Sequence, residues 1–300
     1  MKTNRIMSLA LLAALSAPPL GAQQAPSGRT AFVATTDFAS GSATEIRLSA
    51  APGLSQVNPD VAATSGDPIA VASGGDLFVI HRGFAGAKAN TIDRIDRSTF
   101  AVTKTLATGP NPQDLERDGD TLFVSLLENA QGMQLCSLLA GSCGGSINLC
   151  AGQLVGPDGN CEASQILRDG SKLYVLLQLL DNFAVVRAGA IAVVDIPTNT
   201  RTGVLGLQTR NPSNLAKLSD GKLLVTSSGS FFPSDLSGGV EVVDPAGSSQ
   251  VIIDDDLLGG NVSDLALLDD LAAYVIVTDP TSFVPRVVRF VPALARLGVP

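Results

Sequence analysis

Short apolar runs, broken by Gly, Asp, Asn and Pro, recur along this chain. The clearest unit spans Asn211 to Asp244. Asn211-Pro212 opens a short apolar strand. The turn Ser219-Asp220-Gly221 leads to a second strand, Lys222 to Ser227. A polar loop carrying Phe231 and Phe232 follows, then a third strand, Gly239 to Val243, closed by Asp244-Pro245. Val- and Ile-rich segments bounded by turn formers are the signature of strands. Outside the first residues no stretch sustains the 3.6-residue period of a helix.

The unit repeats. Its opening recurs at Asp67-Pro68, Asn111-Pro112, Glu162-Ala163, Asn211-Pro212 and Asn261-Val262, at intervals of roughly 44 to 51 residues, the spacing of propeller blades. The second strand follows at a near-constant offset, as in Leu77-Phe78-Val79-Ile80, Leu122-Phe123-Val124, Leu173-Tyr174-Val175 and Tyr274-Val275-Ile276. A third strand is visible at Thr91–Ile95, Ala190–Val194 and Arg286–Phe290. A fourth runs over Ala101–Leu106, Gly203–Leu207 and Gln250–Ile253. The reading is an all-β fold, a β-propeller of about six four-stranded antiparallel blades, or seven if one is degenerate. The first unit lacks a first strand before Arg29, and the last has little chain for a fourth. In the unit opening at Asn111, a Gly-rich, Cys-bearing stretch at about 128–161 reads as an inserted, cross-linked loop.

Composition narrows the setting. Lys2 and Arg5 precede an apolar run, and small residues lead to a cleavage site after Ala22. Residues 1–22 therefore read as a secretory signal, too short for a membrane span, and 23–300 as a single propeller domain, periplasmic or secreted. No cysteine near the cleavage site offers a lipid attachment point. The net charge of −8 argues against nucleic acid and anionic membranes as partners. Cys136, Cys143, Cys150 and Cys161 lack the paired C-x-x-C spacing of a zinc site, and in an exported chain they read as two local disulfides, with three connectivities open. The oligomeric state leaves no trace in the sequence.

Candidate chemistry is sparse. The single histidine, His81, stands at a strand end and reads as a loop residue rather than a base, so no catalytic residue is assigned. Nucleophile-elbow, zincin, P-loop and dinucleotide fingerprints are absent from any convincing context. Two features remain. The first is the set of polar residues opening the units: Asp67, Asn111, Asn211 and Asn261, with Asp114, Asn214 and Asp264 three positions on. Asn and Asp before Pro are turn formers. In a propeller these positions also converge on the axis, where oxygen ligands could hold Ca²⁺, although no cofactor is expected on balance. The second is the loop between the second and third strands. It carries Phe38, Phe84, Phe183, Phe231 with Phe232, and Phe283, six of the eleven phenylalanines, on the face where the first strands begin. These side chains either seal the gaps between blades or form, with Arg82, a rim for a protein partner or small apolar ligand.

The runs Phe32-Val33-Ala34-Thr35-Thr36-Asp37-Phe38-Ala39-Ser40-Gly41-Ser42, Asn111-Pro112-Gln113-Asp114-Leu115 and Gly260-Asn261-Val262-Ser263-Asp264-Leu265 resemble those of the exported bacterial YVTN/YncE-like propellers. The resemblance covers nearly the whole mature chain and implies the fold. Similar surface propellers work beside TonB-dependent receptors, some of them binding cobalamin, and are usually lipoproteins. The expectation that follows is a non-enzymatic binding propeller. The alternative is a calcium-dependent hydrolase, since the polar ring is similar to that of the lactonase propellers.

Overall fold

The computed structural model describes residues 29–37, 40–48, 56–64, 66–83, 88–231 and 234–295. The expected signal segment, Phe38, Phe84 and Phe232 lie outside them. The described chain is a β-propeller of six antiparallel blades. Blade one has β1 (Arg29–Thr36), β2 (Gly41–Leu48) and β3 (Gln56–Thr64). Blade two has β4 (Pro68–Ser73), β5 (Asp76–His81), β6 (Thr91–Ile95) and β7 (Val102–Ala107). Blade three has β8 (Pro112–Asp118), β9 (Thr121–Leu126), β10 (Gly132–Ser137) and β11 (Ser142–Asn148). Blade four has β12 (Ala163–Asp169), β13 (Lys172–Leu177), β14 (Ala188–Asp195) and β15 (Thr200–Arg210). Blade five has β16 (Pro212–Lys217), β17 (Leu223–Ser227), β18 (Gly239–Val243) and β19 (Ser249–Asp254). A single turn of helix, α1 (Asp255–Leu258), leads to blade six, with β20 (Asn261–Asp269), β21 (Ala272–Thr278) and β22 (Pro285–Phe290), and then α2 (Pro292–Ala295).

Strands pair in chain order within every sheet. The first and last blades have three strands among the described residues. Each repeated opening starts a strand: Pro68, Pro112, Ala163, Pro212 and Asn261 head β4, β8, β12, β16 and β20.

The stretch at 128–161 departs from expectation. Residues 132–148 form β10 and β11, the outer half of blade three, rather than an inserted loop. The disulfides are Cys136–Cys143, across these two strands, and Cys150–Cys161, closing the connection to blade four. Among the described residues no helix is long and apolar enough to cross a membrane.

The chain divides into two compact units, Met1–Leu122 with Cys136–Cys143, and Phe123–Leu135 with Gly144–Pro300. In the first, Leu77, Val79 and Ile95 form a core against which Phe32 and Phe100 pack, their rings stacked at 5.7 Å. In the second, the middle strands of blades four and five are buried on both faces, so β17 reads Leu223-Leu224-Val225-Thr226-Ser227 without alternation. Tyr174, Leu176, Ile191, Leu215, Leu223 and Val225 join blades four and five. Val240, Val242, Val262, Val275 and Val277 join five and six. Burying each such side chain stabilises the fold by about 1.5–3 kcal/mol. Blades also meet through backbone. A Cβ on Gly189 would stand 2.5 Å from Pro212, so only glycine lets the first strand of blade five approach so closely. The fully buried Glu241 of blade five accepts the N–H groups of Gln208 (2.9 Å) and Thr209 (3.2 Å) and the Thr209 hydroxyl (2.8 Å) from the outer strand of blade four. A buried carboxylate with that many donors acts as a clasp between blades.

Candidate functional site

The residues that open blades two to six are polar, and all but the half-buried Asn211 are hidden. Asn111 is 1% exposed, Glu162 3% and Asn261 0%. Asn111, Glu162 and Asn211 take left-handed φ values of 53°, 46° and 55°. Asparagine tolerates this region better than other non-glycine residues, which accounts for two of the three. Turn chemistry at these positions is therefore real, but the side chains do more than turn the chain.

Each opening residue grips a loop between second and third strands. The backbone carbonyls of Asp67, Glu162 and Asn211 accept the N–H groups of Arg82, Gln178 and Ser228 at 3.0–3.2 Å, at the start of their own blade's loop. Side chains add to this. The Asn211 carboxamide donates to Ser228 Oγ (2.9 Å) and the Gly229 carbonyl (3.1 Å). Asn261 reaches back to the preceding blade and donates to the carbonyls of Ser228 (2.7 Å) and Ser230 (3.1 Å). Asn211, Asn261 and the Phe231 loop, separate features in the sequence, are thus one assembly.

The first unit carries a related network. Arg82 forms an ion pair with Asp67 (2.6 Å) and donates to Gln113 Oε1 (3.3 Å). Gln113 donates to Asn111 Oδ1 (2.6 Å), and the Asn111 N–H donates to Asn90 Oδ1 (2.8 Å). The structure therefore places Arg82 on the opening residues themselves. His81 is not a loop residue. It ends β5, fully buried, with Nε2 3.1 Å from Asp93 Oδ2. Lys88 (2.7 Å) and the Thr105 hydroxyl (2.5 Å) also donate to Asp93. Burial alone would raise the Asp93 carboxyl, but these three donors outweigh it and hold it well below the usual range. The cluster is buried and ties β5, β6 and β7 of the blade together.

The remaining ring members are spent locally. Asp114 and Asp264 each accept the N–H of the following residue at 2.8 Å, and burial pushes the Asp264 carboxyl up. Asn214 donates to the Ser263 carbonyl at 3.1 Å. Among the described residues no three His, Cys, Asp or Glu side chains converge as a cation site of side chains alone would require. Asn111 Nδ2, Glu162 Oε1 and Asn261 Oδ1 nevertheless remain buried without a hydrogen-bond partner. Three unpaired polar atoms at one repeat position mark places where water or another group can complete the hydrogen bonding.

The described phenylalanine loops share a construction. In each, an aspartate fixes a tight turn and an aromatic ring stands near its apex. Asp181 and Ala184 exchange backbone hydrogen bonds (2.9 and 2.8 Å) around Phe183. Asp279 accepts the N–H groups of Thr281 (2.9 Å) and Ser282 (2.7 Å) below Phe283, and these bonds lower its carboxyl from its ordinary value. Asp235 accepts Ser230 N–H (2.9 Å) and the Ser237 hydroxyl (2.7 Å), closing the loop of Phe231, which pairs with Ser234. Burial opposes ionisation of Asp235, yet these donors keep it below the usual range. Phe183 is 55% exposed and Phe283 50%, while Phe231 is half-buried. Phe183 and Phe283 also stand at φ of 67° and 56°, a region that costs a non-glycine residue about 1–2 kcal/mol. Beside the Phe231 loop opens a cavity of about 460 Å³ lined by Arg210, Asp235, Leu236 and Asp254, among others.

Sequence reasoning passed over two residues. Ser228 is the hub on which Asn211 and Asn261 meet. Glu162 opens blade four where the pattern has asparagine, and that departure from the repeat was the available signal.

Set against known proteins, the chain matches no family model. It matches no curated protein. Among solved structures it is similar to hydrazine synthase of Kuenenia stuttgartiensis, with 13% sequence identity, a TM-score of 0.58, and 81% of this chain and 70% of that chain covered. At that identity the likeness supports the propeller fold and nothing finer.

Proposed function

We propose that this protein is an exported, non-enzymatic binding propeller that meets a protein partner or a small apolar ligand through its phenylalanine-bearing loops, in keeping with its YVTN/YncE-like motifs. The observation that carries the reading is the exposure of Phe183 and Phe283 at left-handed turn apices. A phenylalanine needed for packing would be covered, as Phe100 is by Phe32. These two are held out in a conformation that costs stability, Phe183 on a loop whose base is tied to the buried Glu162 side chain and Phe283 on a turn fixed by Asp279. Strain retained where half of each ring stays exposed points to recognition. Two disulfides suit an oxidising compartment, which supports the periplasmic or secreted setting.

The test is capture from native periplasm by wild-type protein and by a Phe183→Ser/Phe283→Ser double variant, read by quantitative mass spectrometry of bound proteins and small molecules. The reading predicts a species retained by the wild type and lost at least about tenfold by the variant, whose melting temperature stays within about 2 °C. Identical retention by both contradicts it.

A further inference from the structure

The connection from blade three to blade four breaks the repeat. β7 ends at Ala107 and β8 starts at Pro112, and β15 ends at Arg210 and β16 starts at Pro212, whereas β11 ends at Asn148 and β12 starts only at Ala163. The extra chain is strapped down. The Cys150–Cys161 bridge closes it. Arg201 of β15 donates to the carbonyls of Leu149 (2.8 Å) and Ala151 (3.2 Å). Arg187 donates to those of Gln153 and Val155 (both 2.8 Å). Asp158 accepts the N–H groups of Asn160 (3.0 Å) and Asn182 (3.1 Å). The connection is thereby fastened to the loop that carries Phe183 and to the outer strand of blade four. Leu154 is turned inward, but Val155 and Pro157 stay exposed. Across the bonds made by Arg187 and Asn182, Val186 and Phe183 are exposed as well. Two chain segments, one of them an expansion of the repeat, present one apolar surface.

The charges around this surface indicate its partner. Segments 149–162 and 178–189 carry three carboxyl groups, on Asp158, Glu162 and Asp181, against one cation, Arg187. Glu162 is buried, and Arg187 is turned onto the carbonyls of the connection. Asp158 and Asp181 remain at the rim, half-buried. Both hold Asn182, the residue before Phe183, whose side chain donates to Asp181 at 3.0 Å. Burial opposes ionisation of Asp158, but the N–H groups of Asn160 and Asn182 outweigh it and lower its carboxyl from the ordinary value. We propose that the surface of Val155, Phe183 and Val186 docks a basic, apolar segment of a partner protein, in which Lys or Arg stands beside an aliphatic or aromatic residue. The apolar side chain covers the valines. The cation lies over the exposed ring and beside the two carboxylates, and it gains from both. The proposal rests on the reading of Phe183 as a recognition residue, and it adds the second chain segment and the charge of the partner.

The experiment pans a phage-displayed library of random peptides against the full mature chain, then measures the enriched peptides by calorimetry. The expected peptides carry Lys or Arg next to an apolar residue. Their affinity falls at least about tenfold with Phe183→Ser, and Val155→Ser, on the other segment, weakens it in the same direction. Asp158→Asn/Asp181→Asn, which keeps acceptor oxygens but removes the charges, costs at least about threefold, and so does raising salt from about 0.02 M to about 0.3 M. Leu139→Ser, in the turn between β10 and β11, is the control and leaves affinity unchanged. Melting temperatures confirm that each variant is folded. Peptides that need Phe183 but lack a basic residue, or that tolerate the loss of both carboxylates, overturn the basic partner and leave Phe183 as a recognition residue. Peptides that bind Phe183→Ser unchanged, or a library without an enriched family, overturn both. Self-association of the mature chain that Phe183→Ser abolishes in sedimentation assigns the surface to a second copy and overturns the proposal.

Discussion

The carboxamide of Asn261 donates to the carbonyl oxygen of Ser230, the residue immediately before Phe231. The opening residue of blade six thereby fixes the aromatic loop of blade five. Asn261 is fully buried and also holds the Ser228 carbonyl, so its loss strands two acceptors at once. Asn261→Ala is expected to lower stability by about 2 kcal/mol in urea unfolding, the cost of leaving buried carbonyls unpaired. Amides of residues 229–237 should exchange faster with deuterium while those of β17 keep their protection. Uniform loss of protection across blade five would show that Asn261 supports the core rather than the loop.

A second prediction separates display from packing. Phe183→Gly and Phe283→Gly place the residue that favours positive φ where φ is 67° and 56°. With half of each ring exposed, little burial is lost and strain is relieved. Stability should hold or rise by up to about 1 kcal/mol. Packing rings would instead cost about 3–5 kcal/mol on removal. Phe100→Gly serves as the comparison, because Phe100 has a similar φ of 57° but stacks on Phe32, and it is expected to destabilise.

These residues also show what the sequence could and could not reveal. The middle strands were legible because they are buried on both faces, so Leu223-Leu224-Val225 and Leu173-Tyr174-Val175 stand out as apolar runs. The outer strands of blades two, four and five were legible too, at Ala101–Leu106, Gly203–Leu207 and Gln250–Ile253, but those of blades one and three were not. In β11 only Ile147 is buried, and Ser142-Cys143-Gly144-Gly145-Ser146 shows no apolar pattern, so its place comes from backbone pairing and the Cys136–Cys143 bridge. The same holds for β3, whose residues are mostly exposed. Asn111, Asn211 and Asn261 were recognisable as turn formers. Their grip on Ser228, Gly229 and Ser230 was invisible, because side chains that bind backbone carbonyls leave no residue-specific partner in the sequence. The exposure of Phe183 and Phe283 likewise depends on turn geometry, which composition does not specify.

Acidity supplies a third prediction. Burial pushes Glu162 up to about 7 and Asp255 up to about 6, both above their ordinary values. Neighbouring Asp158 adds to the rise at Glu162, and Asp254 and Asp256 to that at Asp255. A raised carboxyl binds its proton more tightly in the folded state. Its stabilising contribution is therefore complete below the unfolded carboxylate range and is lost as pH rises through the folded value. In EDTA, stability should decline between about pH 4.5 and pH 7, by an amount on the order of 2 kcal/mol for each group. Glu162→Gln should flatten the upper part of that decline. A profile unchanged by the substitution would place the titration elsewhere.

The disulfides supply a fourth. Sequence separations of 7 and 11 residues close short loops, and each bridge is expected to contribute about 2–3 kcal/mol. Cys150→Ser/Cys161→Ser should affect the Phe183 turn more than Cys136→Ser/Cys143→Ser does, because Cys161 adjoins Glu162 and its hold on Leu180. Deuterium exchange at residues 180–184 distinguishes the two.

The central claim is that the phenylalanine apices make contact with a partner or ligand. Its most direct test places a photo-crosslinking phenylalanine analogue at position 183 or 283 in the native host, with position 139 as control, since Leu139 is 85% exposed in the turn between β10 and β11. The account predicts one discrete adduct, a protein or a small-molecule mass increment, shared by positions 183 and 283 and absent from 139. No discrete adduct at either apex, or the same products from all three positions, would contradict it.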